Sequence, residues 1–108
     1  MDAGQRKAFH IKVHSVVRTL KEYKSYRTEV EAYDMNQVSQ DKKKQACYDE
    51  SKEALISVEQ KLLEFYQGLV AYISENQEEI EEEEEVQDVY NLAQTQIAEI
   101  KGLFPAAA

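Results

Sequence analysis

At 108 residues the chain is the size of one domain, and it is too short to fold a large core around a deep pocket. One proline, Pro105, and three glycines, Gly4, Gly68 and Gly102, leave so little loop punctuation that a strand-and-turn architecture is excluded and long helices are expected. The net charge of −8 comes from one place: Glu75, Glu78, Glu79 and Glu81–Glu85 are eight glutamates, and without them 13 basic residues face 13 acidic ones.

The charge is also divided along the chain. Residues 1–30 hold seven cations, Arg6, Lys7, Lys12, Arg18, Lys21, Lys24 and Arg27, against Asp2, Glu22 and Glu29. From Gln45 onward Lys52, Lys61 and Lys101 face fifteen acids. Cys47 is the single cysteine, which rules out an internal disulfide and suits a reducing compartment. No apolar run of about eighteen residues is present, and the opening MDAGQRKAF lacks the apolar stretch of a signal peptide. The expected location is therefore cytoplasmic.

The first element is read from Phe9, Val13, Val16, Leu20, Tyr23 and Val30, which step by three, four or seven as a coiled-coil seam, widened by Val17, Tyr26 and Tyr33. This predicts a helix over residues 8–35. The polar stretch that follows, DMNQVSQDKKK, offers Asn36, Ser39 and Asp41 as turn or capping residues, which places a turn at 36–41 with Asp41 as the cap of the next helix. Tyr48, Leu55, Val58, Leu62, Phe65, Leu69 and Tyr72 continue the three-four spacing, with Leu63, Tyr66, Val70 and Ile73 broadening the stripe, so a second helix is predicted over 42–75. Gly68 weakens it by up to about 1 kcal/mol relative to Ala, which implies either a bend or a close-approaching backbone.

Asn76 followed by Gln77, Glu78 and Glu79 reads as a capping box, with Ile80 stapling a third helix. That helix is predicted over 80–101 from Val86, Tyr90, Ala93, Ile97, Ile100 and Phe104, with Gly102 as its C-cap, Pro105 as a stop and a loose tail at 105–108. The sum is an all-α, elongated antiparallel three-helix bundle with spectrin-like or coiled-coil packing, in one domain. A thirty-residue helix is about 45 Å long, so the product is a rod.

Few residues suggest chemistry. His10 and His14, four apart, are half a metal site, but no further Cys or His completes it. Cys47 has no base within a helical turn and reads as a buried or half-buried spacer. The glutamate run complements the positive end of a helix dipole, yet five consecutive glutamates repel one another, so it reads as a solvated face that also offers a partner contact. Such a run provides no cleft that raises one carboxyl pKa for acid–base work. Lys42–Lys44 is too short a basic run, in too acidic a chain, for nucleic-acid binding. Seven tyrosines without tryptophan suit a thin bundle, with Tyr23, Tyr66, Tyr72 and Tyr90 expected in the core. No enzyme, cofactor or metal is expected.

Taken in order, Ile11–Glu22 (IKVHSVVRTLKE), Tyr26, Asp41–Ala46 (DKKKQA), Leu62–Glu64 (LLE), Ile73–Asn76 (ISEN) and Ile80–Glu85 (IEEEEE) resemble the tubulin-folding cofactor A, or tubulin-specific chaperone A, family across residues 9–101. The first joint is shorter than the family's, and Ser57 stands where relatives often carry a helix-kinking proline. The resemblance implies a cytoplasmic, cytoskeleton-associated chaperone, monomeric or weakly dimeric, that captures β-tubulin folding intermediates before heterodimer assembly without nucleotide or metal. Other tubulin-folding cofactors are further implied partners; nucleic acid and membrane are not. By position the implied contacts are Arg18, Lys21 and Glu22 on helix 1, Lys43, Lys44 and Gln45 on helix 2, and Glu75, Asn76, Glu81 and Glu82 at the second joint. The alternatives are a spectrin-like structural repeat, against which the absence of tryptophan counts, and a dimeric coiled-coil adaptor, which a size measurement would separate from a monomer.

Overall fold

The computed structural model describes residues 1–107. It is all-α, with no strand among the described residues, and elongated: its extents are 59 × 25 × 18 Å and its Cα radius of gyration is 17.7 Å. A compact chain of this length would have a radius near 13 Å. Five helices are described: α1 (Ala3–Glu31), α2 (Met35–Gln40), α3 (Lys42–Glu75), α4 (Gln77–Glu82) and α5 (Gln87–Leu103). Single 3₁₀ turns occupy Glu84–Val86 and Pro105–Ala107. Three of the helices are long.

Helix α1 begins at Ala3 rather than at residue 8, because Asp2 and Gln5 form a reciprocal capping box, each side chain accepting from the other's backbone N–H at 2.8 Å. The apolar seam starts only at Phe9, so hydrophobic spacing could not reveal this first turn. The same helix stops at Glu31, short of residue 35. Asp34 opens a new helix by accepting from Asn36 N–H at 2.9 Å, and the buried Val38 docks it. The segment expected as a turn at 36–41 is therefore largely the short helix α2. Helix α3 matches its expected limits, and Asp41 caps it through Lys43 N–H at 2.9 Å and Lys44 N–H at 3.4 Å.

The second joint departs most from expectation. Asn76 makes no N-cap bond; its Nδ2 donates to the Tyr72 carbonyl at 2.9 Å and finishes α3 instead. The third helix does not run from residue 80. Helix α4 ends at Glu82, Glu83 is extended, and α5 starts only at Gln87. Mutual repulsion along Glu81–Glu85 opposes a continuous helix there. Gln87 seals the break, its Nε2 donating to the carbonyls of Ile80 at 2.8 Å and Glu83 at 3.0 Å, which adds to the 3.3 Å bonds these accept from the backbone N–H groups of Glu83 and Val86. At the far end Gly102 lies inside α5 without a positive φ, and Phe104 terminates the helix, N–H to Ile100 carbonyl 2.8 Å. Pro105 disfavours helical backbone at the residue before it, and Phe104 accordingly leaves the helix with φ −130° and ψ 71°. Of the tail expected to be loose, Pro105–Ala107 forms a 3₁₀ turn, and Ala108 lies outside the described residues.

Contacts fix the directions of the long helices. Phe9 stacks on Tyr72 with centroids 5.8 Å apart, and Tyr33 meets Tyr48 edge-on at 5.5 Å, so α1 and α3 run oppositely. Arg6 pairs with Glu85, just ahead of α5, and Tyr23 packs on Phe104 at its end, so α5 follows α1 but spans only its first two-thirds. The core joins Phe9, Val13, Val16, Leu20 and Tyr23 to Leu62, Tyr66, Leu69 and Ile73, then to Ile80, Val86, Val89, Ala93 and Ile100. Burying each large apolar side chain contributes roughly 1.5–3 kcal/mol.

Within α3 the buried face is centred on Leu62, Tyr66, Leu69 and Ile73, while Phe65 and Tyr72 are half-buried. In α5, Val89 is buried in place of Tyr90 and Ile97, which flank the core. Val30 is half-buried. Thr19, 1% exposed, is a core residue that hydrophobic spacing missed. Cys47, expected to be at least half covered, is exposed, because it lies on the part of α3 that α5 does not reach.

Candidate functional site

The surface offers shallow grooves. One of about 450 Å³ follows the bend from α3 into α4 and is lined by Ser74, Glu75, Asn76, Gln77, Glu78 and Glu79. A second, of about 240 Å³, lies between α1 and α3 over Ile11, Ser15, Phe65 and Gly68. A Cβ at Gly68 would meet nothing within 4 Å, so of the two readings of this glycine, close approach of another backbone is excluded.

The chemically distinctive side chains are few. His10 and His14 are exposed and stacked, ring centroids 6.2 Å apart, and no group of three or more possible metal ligands gathers among the described residues. Tyr72 donates from its hydroxyl to the Gln5 carbonyl at 3.1 Å. Burial first, and then the negative charges of Glu79 and Asp2, push its pKa above the usual tyrosine value. Arg27 is held more firmly protonated by its hydrogen bond to Glu31 and then by that carboxylate's charge.

The ten implied contact residues fall into three groups along the rod. Arg18 and Lys21 are exposed near the middle of α1, with Glu22 half-buried beside them. Lys43, Lys44 and Gln45 are exposed in the first turn and a half of α3. Glu75, Glu81 and Glu82 are exposed at the α3–α4 bend, where Asn76 is half-buried and engaged in closing α3. The latter two groups sit at opposite ends of a 34-residue helix, about 50 Å apart. The fold does not gather them into one patch.

Local energetics separate structural charges from spare ones. Arg6 reaches Glu83 at 3.6 Å and Glu85 at 3.0 Å, Lys24 pairs with Glu99, and Arg27 with Glu31 at 3.0 Å. Lys43 and Lys44 stand at the positive end of the α3 dipole, where cations are unfavourable, and neither forms an ion pair among the described residues. Lys44 Nζ donates to Gln37 Oε1 at 3.0 Å and so ties the start of α3 to α2, whereas the Lys43 side chain has no such partner among the described residues. Glu83 is the half-buried member of the glutamate run and is held by Arg6, a role that a uniformly solvated run did not suggest.

Fold and surface together define an elongated helical protein whose apolar faces largely close on one another and whose implied contact residues are mostly exposed and charged. No helix among the described residues is long and apolar enough to cross a membrane. No protein-family model, curated protein or solved structure matches the chain.

Proposed function

We propose that this protein is an antiparallel three-helix bundle that acts as a tubulin-folding chaperone, capturing β-tubulin folding intermediates and holding them until heterodimer assembly. It would work by binding alone, in the cytoplasm and near the cytoskeleton, without nucleotide, metal or a reaction of its own. The observation that carries the reading is the ordered resemblance of Ile11–Glu22, Asp41–Ala46, Ile73–Asn76 and Ile80–Glu85 to the cofactor A family. The charges at Arg18, Lys21 and Lys43 support it, since the fold makes no ion pairs with them among the described residues. A partner bound mainly through charged helix faces can hold an exposed intermediate by mass action and yield it to a tighter binder, with an affinity that salt weakens.

Native-gel capture of refolding β-tubulin tests this directly. β-Tubulin should be retained and α-tubulin not, with ATP, GTP and chelator without effect. Failure to retain β-tubulin overturns the proposal.

A further inference from the structure

Of the seven cations of α1, Lys12 lies over the Tyr72 ring, 5.5 Å from its centroid, and the other six divide into two sets. Arg6, Lys24 and Arg27 are paired with glutamates, whereas Lys7, Arg18 and Lys21 are exposed and form no ion pair among the described residues. With His10 and His14, the second set occupies positions 7, 10, 14, 18 and 21, steps of three or four that keep all five on one outward face. Residues 3–21 contain no acidic side chain, although the chain as a whole carries −8. The result is a basic ridge about 21 Å long and one helix wide.

We propose that this ridge holds an extended, acidic polypeptide segment of a partner protein. Charge complementarity selects an acidic occupant, and width selects a single chain. A membrane or a duplex would present a broad anionic surface, and would bring the exposed Glu84 and Glu85, near the Arg6 end of the ridge, against like charge. A lone extended strand avoids them. At about 3.3 Å per residue, six or seven residues of such a strand span the ridge. The two imidazoles donate at least one N–H each whether neutral or charged, and so can hydrogen-bond carboxylates between the three full charges.

The proposal rests on α1 alone and does not require the partner to be tubulin. The probe is therefore dye-labelled octaglutamate, followed by fluorescence anisotropy with the full chain at low ionic strength. Saturable binding is expected. Arg18→Glu with Lys21→Glu should weaken it by about tenfold or more, given the Coulomb energies of close charges. Lys52→Glu with Lys101→Glu, an equal charge change away from the ridge, should have far less effect. Helicity of each variant is checked by circular dichroism, and Arg18→Gln, a milder change, should weaken binding in the same direction. No binding, or equal loss in both double variants, would overturn the ridge as the site. Self-association of the unmodified chain that the Arg18→Glu, Lys21→Glu variant abolishes would also overturn it, because the glutamate run of a second copy would then be the occupant. Loss of β-tubulin capture with octaglutamate binding intact would leave the ridge standing.

Discussion

The two joints of this molecule solve the same problem by different means. At the first, Asp34 and Asp41 each cap the helix that follows through backbone N–H groups two or three residues away, and Val38 is the one buried anchor. At the second, no side chain caps α4 or α5; the segment is held by the fully buried Ile80, by Gln87 reaching back to two carbonyls, and by Arg6 from α1. The first joint is built from local chemistry. The second depends on tertiary partners, so substitutions there should be felt across the fold.

The largest expected contrast is between the anchors. Ile80→Ala should destabilise by about 2–5 kcal/mol in urea unfolding, since a fully packed side chain leaves a cavity. Val38→Ala should cost less, since Val38 has fewer buried carbons to lose and lies outside the main core cluster. Equal losses would mean that the second joint is no better integrated than the first.

Next come the polar locks. Asp41→Ala should cost about 0.5–2 kcal/mol by leaving the start of α3 uncapped. Asn76→Ala should cost about 0.5–1.5 kcal/mol, the net worth of one hydrogen bond. An Asn76 loss exceeding that of Asp41 would show that Asn76 also organises α4.

Tyr72 ties α3 to the first turn of α1 and offers a pH readout. Its folded pKa lies above the usual 10.0, so at alkaline pH the native state keeps a proton that the unfolded chain releases. Its contribution is therefore fully present below about pH 10 and is lost as pH rises through the folded value. Tyr72→Phe should lower stability modestly at neutral pH and flatten the alkaline decline, as thermal melts across that range would record. An unchanged alkaline limb would assign the decline to other groups.

The smallest contrast lies within the glutamate run. Glu83→Gln should cost up to about 1 kcal/mol because it weakens the Arg6 pair. Glu84→Gln, exposed and outside any ion pair among the described residues, should be neutral or slightly stabilising through relief of repulsion. The Glu83 loss should shrink with salt.

The legible parts of the fold are those that local rules specify. The Phe9–Tyr23 seam was readable because one helix repeat carries it, and α3 because Asp41 begins it and its apolar stripe continues to Ile73. All ten implied contacts were likewise read as solvent-facing, since they fall off the apolar stripes, and eight of them are exposed; Glu22 and Asn76 are half-buried. The basic ridge could have been found from the spacing of Lys7, His10, His14, Arg18 and Lys21 once their freedom from ion pairs was known.

Sequence alone thus determined the helical class, the long pairing elements and the concentration of negative charge after Ser74, because spacing and composition act within a turn or two. Tertiary structure decided which flank of each stripe is buried: Tyr66 and Ile73 over Phe65 and Tyr72, Val89 over Tyr90, and Thr19 in the core. It also broke the third helix at Glu83 and placed the candidate contacts at separate stations along a rod. These outcomes depend on how α1, α3 and α5 meet, and on Arg6 and Gln87 reaching residues that no local spacing brings near them.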